Sequence, residues 1–275
     1  MSEGAPTLPT RSAHWGYDEH RYFGHAVFAE LRGRESLSGL TALSVLGRRL
    51  SPQTSALLDE AAVCLTLADP RIWPLKLTRV VAAYGQTMPA AAAGLLIQED
   101  ARIGPWAMCK AAEVLALLKS EVLMSAVNEQ DTRNALLAYV RAQNFIWGFG
   151  TPFRQQDERL IAFRKSVAER GCESLPHFRI FDALTPVVQA ERHAQPNIAG
   201  ALAAVLLDQG LTPSEIGPLT VALMQHMFLA HAVEGARQAP QLLRKLPADR
   251  IHYQGRSARV SPRFAAQMVR GSHGR

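Results

Sequence analysis

The residues able to do chemistry in this chain gather in a few places. The densest is the run Gly148-Phe-Gly150-Thr151-Pro-Phe-Arg154-Gln-Gln-Asp157-Glu158-Arg159, which sets two glycines before a hydroxyl, two arginines and two acids. A guanidinium presents a planar fork of donors suited to carboxylates and phosphates. The run therefore reads as an anion site, or as an ion pair between Arg159 and a neighbouring acid, Asp157 or Glu158. Gly148 and Gly150 suit a turn that needs positive φ or close packing. Asn197, directly after Pro196, has the type and place of a helix N-cap. Cys109 opens an apolar helical run, where a helix dipole can lower a thiol pKa. No histidine adjoins it to complete a nucleophilic pair. His231 lies in an apolar run and reads as a satisfied core histidine.

Other functional classes find little support. Cys64, Cys109 and Cys172 are odd in number and lack CxxC spacing, which argues against a disulfide framework and against zinc. They read as reduced, mostly buried thiols. The formal net charge of +6 owes much to the last residues, where Arg244, Lys245, Arg250, Arg256, Arg259, Arg263, Arg270 and Arg275 face Asp249 alone. No helix-turn-helix, zinc-finger or RNA-recognition signature accompanies that charge, so nucleic acid is not the expected partner. Basic residues near a pocket serve anionic ligands equally well. The longest apolar stretches, residues 198–207 and 216–233, contain polar residues or fall short of a span of ~20 residues. Residues 1–11 read as a loose tail without an apolar h-region. These readings make a soluble, cytoplasmic protein with no membrane partner the expectation.

The elements that must position these groups are helical. Ser51-Pro52 places a capping serine before a proline at the first helical position, opening a run over residues 54–67. Asp69-Pro70 gives a second start, and residues 75–84 follow with helical spacing up to Gly85. Residues 106–127 are rich in Ala and Leu, and Asp131 is placed to cap the next helix. Residues 155–170 form an amphipathic helix stopped by Gly171. Thr212-Pro213-Ser214-Glu215 is the clearest start in the chain, combining a capping box with Pro at the first helical position. The nearly all-apolar residues 216–233 are expected to be the central core helix. Possible strands are confined to residues 250–260. The fold class is mainly α.

Four segments in order carry a resemblance to one family. Glu35-Ser-Leu-Ser-Gly39, Gly47-Arg-Arg49, Ser51-Pro52 and Leu57-Leu-Asp-Glu60 form the first. Gly104-Pro105-Trp106-Ala107 followed by Glu113-Val114-Leu115 is the second, and the run from Gly148 to Arg159 is the third. Pro196-Asn197-Ile198, Gly210, Pro218-Leu219 and Ala230-His231-Ala-Val-Glu234 complete the set. Together they resemble the citrate synthase and citryl-CoA lyase family, from Tyr22 to Gly255.

The resemblance implies a two-domain helical fold. A large domain would comprise residues 1–105 and 200–275, with a small inserted domain over residues 106–199. It implies a dimer, a homodimer or a heterodimer with a citrate synthase-like paralogue, with sites in the cleft between domains. It implies CoA or an acyl-CoA as substrate, with no permanently bound cofactor. The family joins an acyl-CoA to a keto acid, or reverses that step, using two histidines and an aspartate. Here the matching positions hold Ala107, Thr151 and Ala199. Losing a general base costs ~10²–10⁴ in rate, and losing an oxyanion donor costs ~10²–10³. Unmodified citrate synthase chemistry is therefore not expected.

The positions retained for substrate or CoA binding are Gly148, Gly150, Thr151, Arg154, Arg159 and Asn197, with Asp69, Arg71 and Cys109 as further cleft candidates. A family arginine falls at Met224. Two readings follow: a divergent binder of an acyl-CoA or carboxylate, and a non-catalytic member that partners an intact paralogue.

Overall fold

The computed structural model describes residues 7–66, 69–101, 103–125, 128–151 and 155–238, together with Asp249, His252 and Gln254. The chain divides into two units, Met1–Ala239 and Pro240–Arg275. The strand reading at residues 250–260, and most of the basic C-terminal stretch, lie outside the described residues.

The first unit is built from helices: α1 (Leu37–Leu46), α2 (Pro52–Cys64), α3 (Trp73–Tyr84), α4 (Thr87–Asp100), α5 (Pro105–Ser125), α6 (Glu129–Ala142), α7 (Glu158–Glu169), α8 (Pro176–Arg192), α9 (Ile198–Asp208), α10 (Pro213–Leu223) and α11 (Gln225–Ala236). Most of the start signals act as read. Ser51 accepts from the Thr54 amide ahead of Pro52, and Thr212 with Glu215 forms the capping box. Gly171 closes the region after α7 at φ +65°. Two starts move. Asn128, not Asp131, caps α6, because its side chain accepts from the Asp131 amide. Asp69 turns back on the amide and guanidinium of Arg71, so α3 begins only at Trp73.

Three two-residue strands precede the helices: β1 (Ala13–His14), β2 (Arg21–Tyr22) and β3 (His25–Ala26). They pair antiparallel in sequence order, with Ala13 opposite Tyr22 and Arg21 opposite Ala26. Strands this short carry no alternation for a sequence reading to find.

The central helix is α9. Every residue from Ile198 to Leu207 except Ala199 is buried, and α5, α7, α8 and α10 pack around it. Residues 216–233, expected to hold that place as one helix, instead form α10 and α11, which meet at Met224. The stretch Pro213–Ala236 is long and apolar enough to cross a membrane by length and composition, and half of its apolar window is buried inside the unit. α11 lies against α3 and α4. The approach is close because Gly235 faces the backbone of Arg79, where a Cβ would come within 2.7 Å of Arg79 Cα.

α2 and α7 also pack together, and just beyond α7 the Arg170 guanidinium reaches the Glu60 carboxylate. Glu60 is held below the usual carboxylate range, chiefly by a hydrogen bond with Ser166 and further by Arg170, against the opposing effect of burial. A depressed carboxylate contributes stability above its unfolded pKa and loses it as pH falls through the folded one. The side chain is 37% exposed, so solvent screening keeps the effect below about 1 kcal/mol. Glu60→Gln is expected to lower the urea midpoint at neutral pH, and to lower it less at an acidic pH below the usual carboxylate range. An equal gap at both pH values would assign the loss to something other than the carboxylate charge.

Candidate functional site

Two turns far apart in sequence build the site. Residues 148–150 run beside residues 195–197: the Gly150 amide donates to Gln195 O at 2.7 Å, and the Asn197 amide donates to Gly148 O at 3.0 Å. Phe149 and Pro196 form an antiparallel bridge between these bonds. Gly148 and Gly150 both sit at positive φ, +90° and +89°. Gly148 is constrained further, because a Cβ there would fall 2.8 Å from Gly200 Cα. Gly200, in the first turn of α9, can approach so closely because it too lacks a side chain.

Asn197 fastens the two turns together. Its Oδ1 accepts from the Gly200 amide at 3.2 Å, making it the N-cap of α9, and its Nδ2 donates to Gly150 O at 2.8 Å. The capping role read from its type holds, and the same side chain has a second task on the glycine turn.

Asp157 is the other fastening. It is 3% exposed, and its carboxylate accepts from the amides of Arg159 and Ile198. It therefore sits at the N-termini of α7 and α9 together, where both helix dipoles favour negative charge. The Arg159 guanidinium closes on it as a fork, with Nε at 2.7 Å from Oδ1 and Nη2 at 2.9 Å from Oδ2. The ion-pair reading of Arg159 is realised with Asp157, and both residues still border the cavity.

That cavity has a volume of about 460 Å³, within the range of small-molecule sites. Ala107, Thr151 and Ala199, from three separate sequence segments, all line it. Gly148, Gly150, Arg159, Asn197 and Asp69 line it as well, and Met224 occupies the wall where the resemblance implies an arginine. Arg154 lies outside the described residues. Arg71 and Cys109 are not part of the lining. Arg71 is turned outward, with its side chain 69% exposed and paired to Asp69. Cys109 donates to Pro213 O at 3.2 Å. Burial pushes its thiol pKa up and Glu113 adds to the rise, the opposite of what a nucleophile needs. His231 is 9% exposed, lies off the cavity and has Arg79 Nη1 at 3.1 Å from its Nδ1. This agrees with the core reading.

The chemistry open to this lining is narrow. Among the described lining residues there is no histidine, cysteine or lysine, and the charged groups are three carboxylates and one guanidinium. Two of the three positions that resemble catalytic ones are alanines, which neither move a proton nor donate a hydrogen bond. Thr151 offers a neutral hydroxyl. No cluster of three or more metal-ligating side chains exists among the described residues.

Sequence reasoning missed two polar groups of this lining, Thr66 just beyond α2 and Gln98 near the end of α4; the more buried is Gln98. It is 1% exposed. Its signal was present: Ala91, Gly94, Leu95 and Gln98 recur at helical spacing, so a polar residue falls on an apolar face.

No protein-family model and no curated protein sequence matches this chain. Solved structures do. Citryl-CoA lyase from Hydrogenobacter thermophilus superposes with a TM-score of 0.74 at 17% identity, covering 95% of this chain and all of that one. ATP citrate lyase from Methanothrix soehngenii, solved with citrate and coenzyme A, gives 0.68 at 15% identity, over 93% of this chain and 43% of that one. Citrate synthase from Thermoplasma acidophilum, solved with carboxymethyl coenzyme A and oxaloacetate, gives 0.58 at 16% identity, over 84% of this chain and 60% of that one. The chain thus has the mainly α fold shared by the citrate synthases and citryl-CoA lyases.

Proposed function

We propose that this protein binds an acyl-CoA in the cavity between the glycine turn and the start of α9, without unmodified citrate synthase acyl transfer. The observation that carries the reading is the convergence of Ala107, Thr151 and Ala199 on one cavity of about 460 Å³. In this reading the three positions that resemble the family's catalytic ones still enclose a space, but hold no side chain that moves a proton at neutral pH. In this reading residues 1–105 and 200–275 form the large domain and residues 106–199 the small one, the cavity lies between them, and the protein is a cytoplasmic dimer. Neither a membrane nor nucleic acid belongs to it.

A free keto acid is a poorer fit than a thioester. The Arg159 fork is engaged by Asp157, Met224 is apolar, and the described lining carries more carboxylates than cations. A thermal-shift titration with CoA, acetyl-CoA and oxaloacetate tests the reading. A ligand at ~100 times its Kd stabilises the fold by ~2.7 kcal/mol, so a clear rise in Tm is expected with the CoA species and none with oxaloacetate alone. The simultaneous loss of all three proton-handling positions favours a second reading, a non-catalytic subunit paired with an intact paralogue. Absence of any shift with CoA or acetyl-CoA would overturn the first reading and leave the second.

A further inference from the structure

Among the described residues, the side-chain oxygen of Gln98 has no hydrogen-bond partner. Its Nε2 donates to Ile103 O at 3.2 Å, which fixes the amide so that Oε1 is the group left over. The side chain is 1% exposed and lines the cavity beside Ile103, Gly104 and Met224. The local chain makes room for this amide: Gly104 is at φ +60°, and a Cβ there would fall 2.5 Å from Gln98 Nε2 and 3.5 Å from Met224 Cε. A buried polar atom without a partner is rare in folded proteins and calls for an explanation. A ligand donor is one that the position on a cavity wall supports directly.

The chemistry of that donor can be narrowed. A carboxylate would bring a second acceptor against Oε1. An ammonium would supply a donor, but Asp157 is already paired with Arg159 and Asp69 with Arg71, and burying a full charge beside one carbonyl costs far more than that carbonyl offsets. An uncharged O–H or N–H group meets the acceptor at no such cost, and Ile103, Met108 and Met224 suit a short aliphatic body around it.

We propose that Gln98 makes this cavity selective for an uncharged hydroxyl- or amide-bearing group over the corresponding carboxylate. The proposal rests on the reading of this cavity as the ligand site. It names the chemistry of what lies beyond the thioester, or of what the thioester meets.

Trp147 borders the cavity and packs edge-on to Trp106 at 4.7 Å, so tryptophan fluorescence can follow occupancy. The full chain would be titrated with isobutyramide against isobutyrate, and with propionamide against propionate, at matched ionic strength. The expected Kd of each amide is about tenfold below that of its acid, the scale of one satisfied buried acceptor. In Gln98→Met the ratio is expected to fall to near one. Should that variant fail to fold, Gln98→Asn, which withdraws the acceptor by one methylene, is expected to lower the ratio likewise. Equal binding of each pair by the wild type, or an unchanged ratio in a folded variant, overturns the proposal. Acetyl-CoA titrated in parallel separates the two failures. If it binds while the pairs are not discriminated, only the selectivity of Gln98 is lost. If neither it nor the amides bind, the ligand-site reading falls too.

Discussion

Asp157→Ala is expected to lower the unfolding free energy by about 2–4 kcal/mol, as the sum of a lost N-cap, about 1 kcal/mol, and an unsatisfied buried amide, about 1–3 kcal/mol. The amide is that of Ile198, which donates to Asp157 Oδ2 at 2.9 Å in the buried first turn of α9. The carboxylate holds two helix N-termini and one guanidinium, so its removal acts on three partners together. Asp157→Asn separates the contributions: it keeps an oxygen for one amide but sets an NH₂ group against the Arg159 fork. It is expected to fall between wild type and the alanine variant. Denaturant unfolding with an unchanged m-value is the measurement, and a loss under about 0.5 kcal/mol, the level of an ordinary surface change, would refute this account.

The second large effect belongs to Gly148. With φ at +90° and a would-be Cβ 2.8 Å from Gly200 Cα, alanine there meets two penalties. The left-handed backbone costs roughly 1–2 kcal/mol, and overpacking against α9 adds about 1–3 kcal/mol. Gly150 provides the control. Its φ is +89°, yet a Cβ there would meet nothing within 4 Å, so Gly150→Ala should show the backbone cost alone. The difference between the two variants measures how closely the turn approaches the helix. Equal losses would mean that the approach is not tight. Only Gly148→Ala is expected to abolish the rise in Tm with acetyl-CoA, since it displaces the start of α9.

Some of this arrangement was legible in the sequence because it is local. Caps and glycine stops depend on a few adjacent residues, so Ser51, Thr212, Gly171 and Asn197 could be read one at a time. What escaped depends on distant partners. Asp157 was seen as an acid near Arg159, but its contact with the Ile198 amide joins positions 41 apart in the chain. Gln98 could be read as a polar residue on an apolar face, but its place on the cavity wall depends on Met224, far along the chain. Choosing the central helix required weighing α9 against residues 216–233, two similarly apolar runs, and only packing separates them. The order of the four motifs identified the fold because their spacing reflects the topology. Whether Arg159 would face its neighbour or the cavity was beyond a linear reading, and the structure has it do both.

The burial of α9 also limits how this protein can vary through descent. Any residue but glycine at Ala201, Ala203 or Ala204 adds volume to a space already filled, and a smaller side chain at Ile198, Leu202, Val205 or Leu206 leaves a void in it. Either change is selected against through the fold, whatever it does to a ligand. Ala199 is the exception in the helix, partly open and bordering the cavity. Ile198 borders the cavity too, but it is buried in the core, so on this helix adaptation to a new ligand is channelled through Ala199, the one bordering position that packing leaves open.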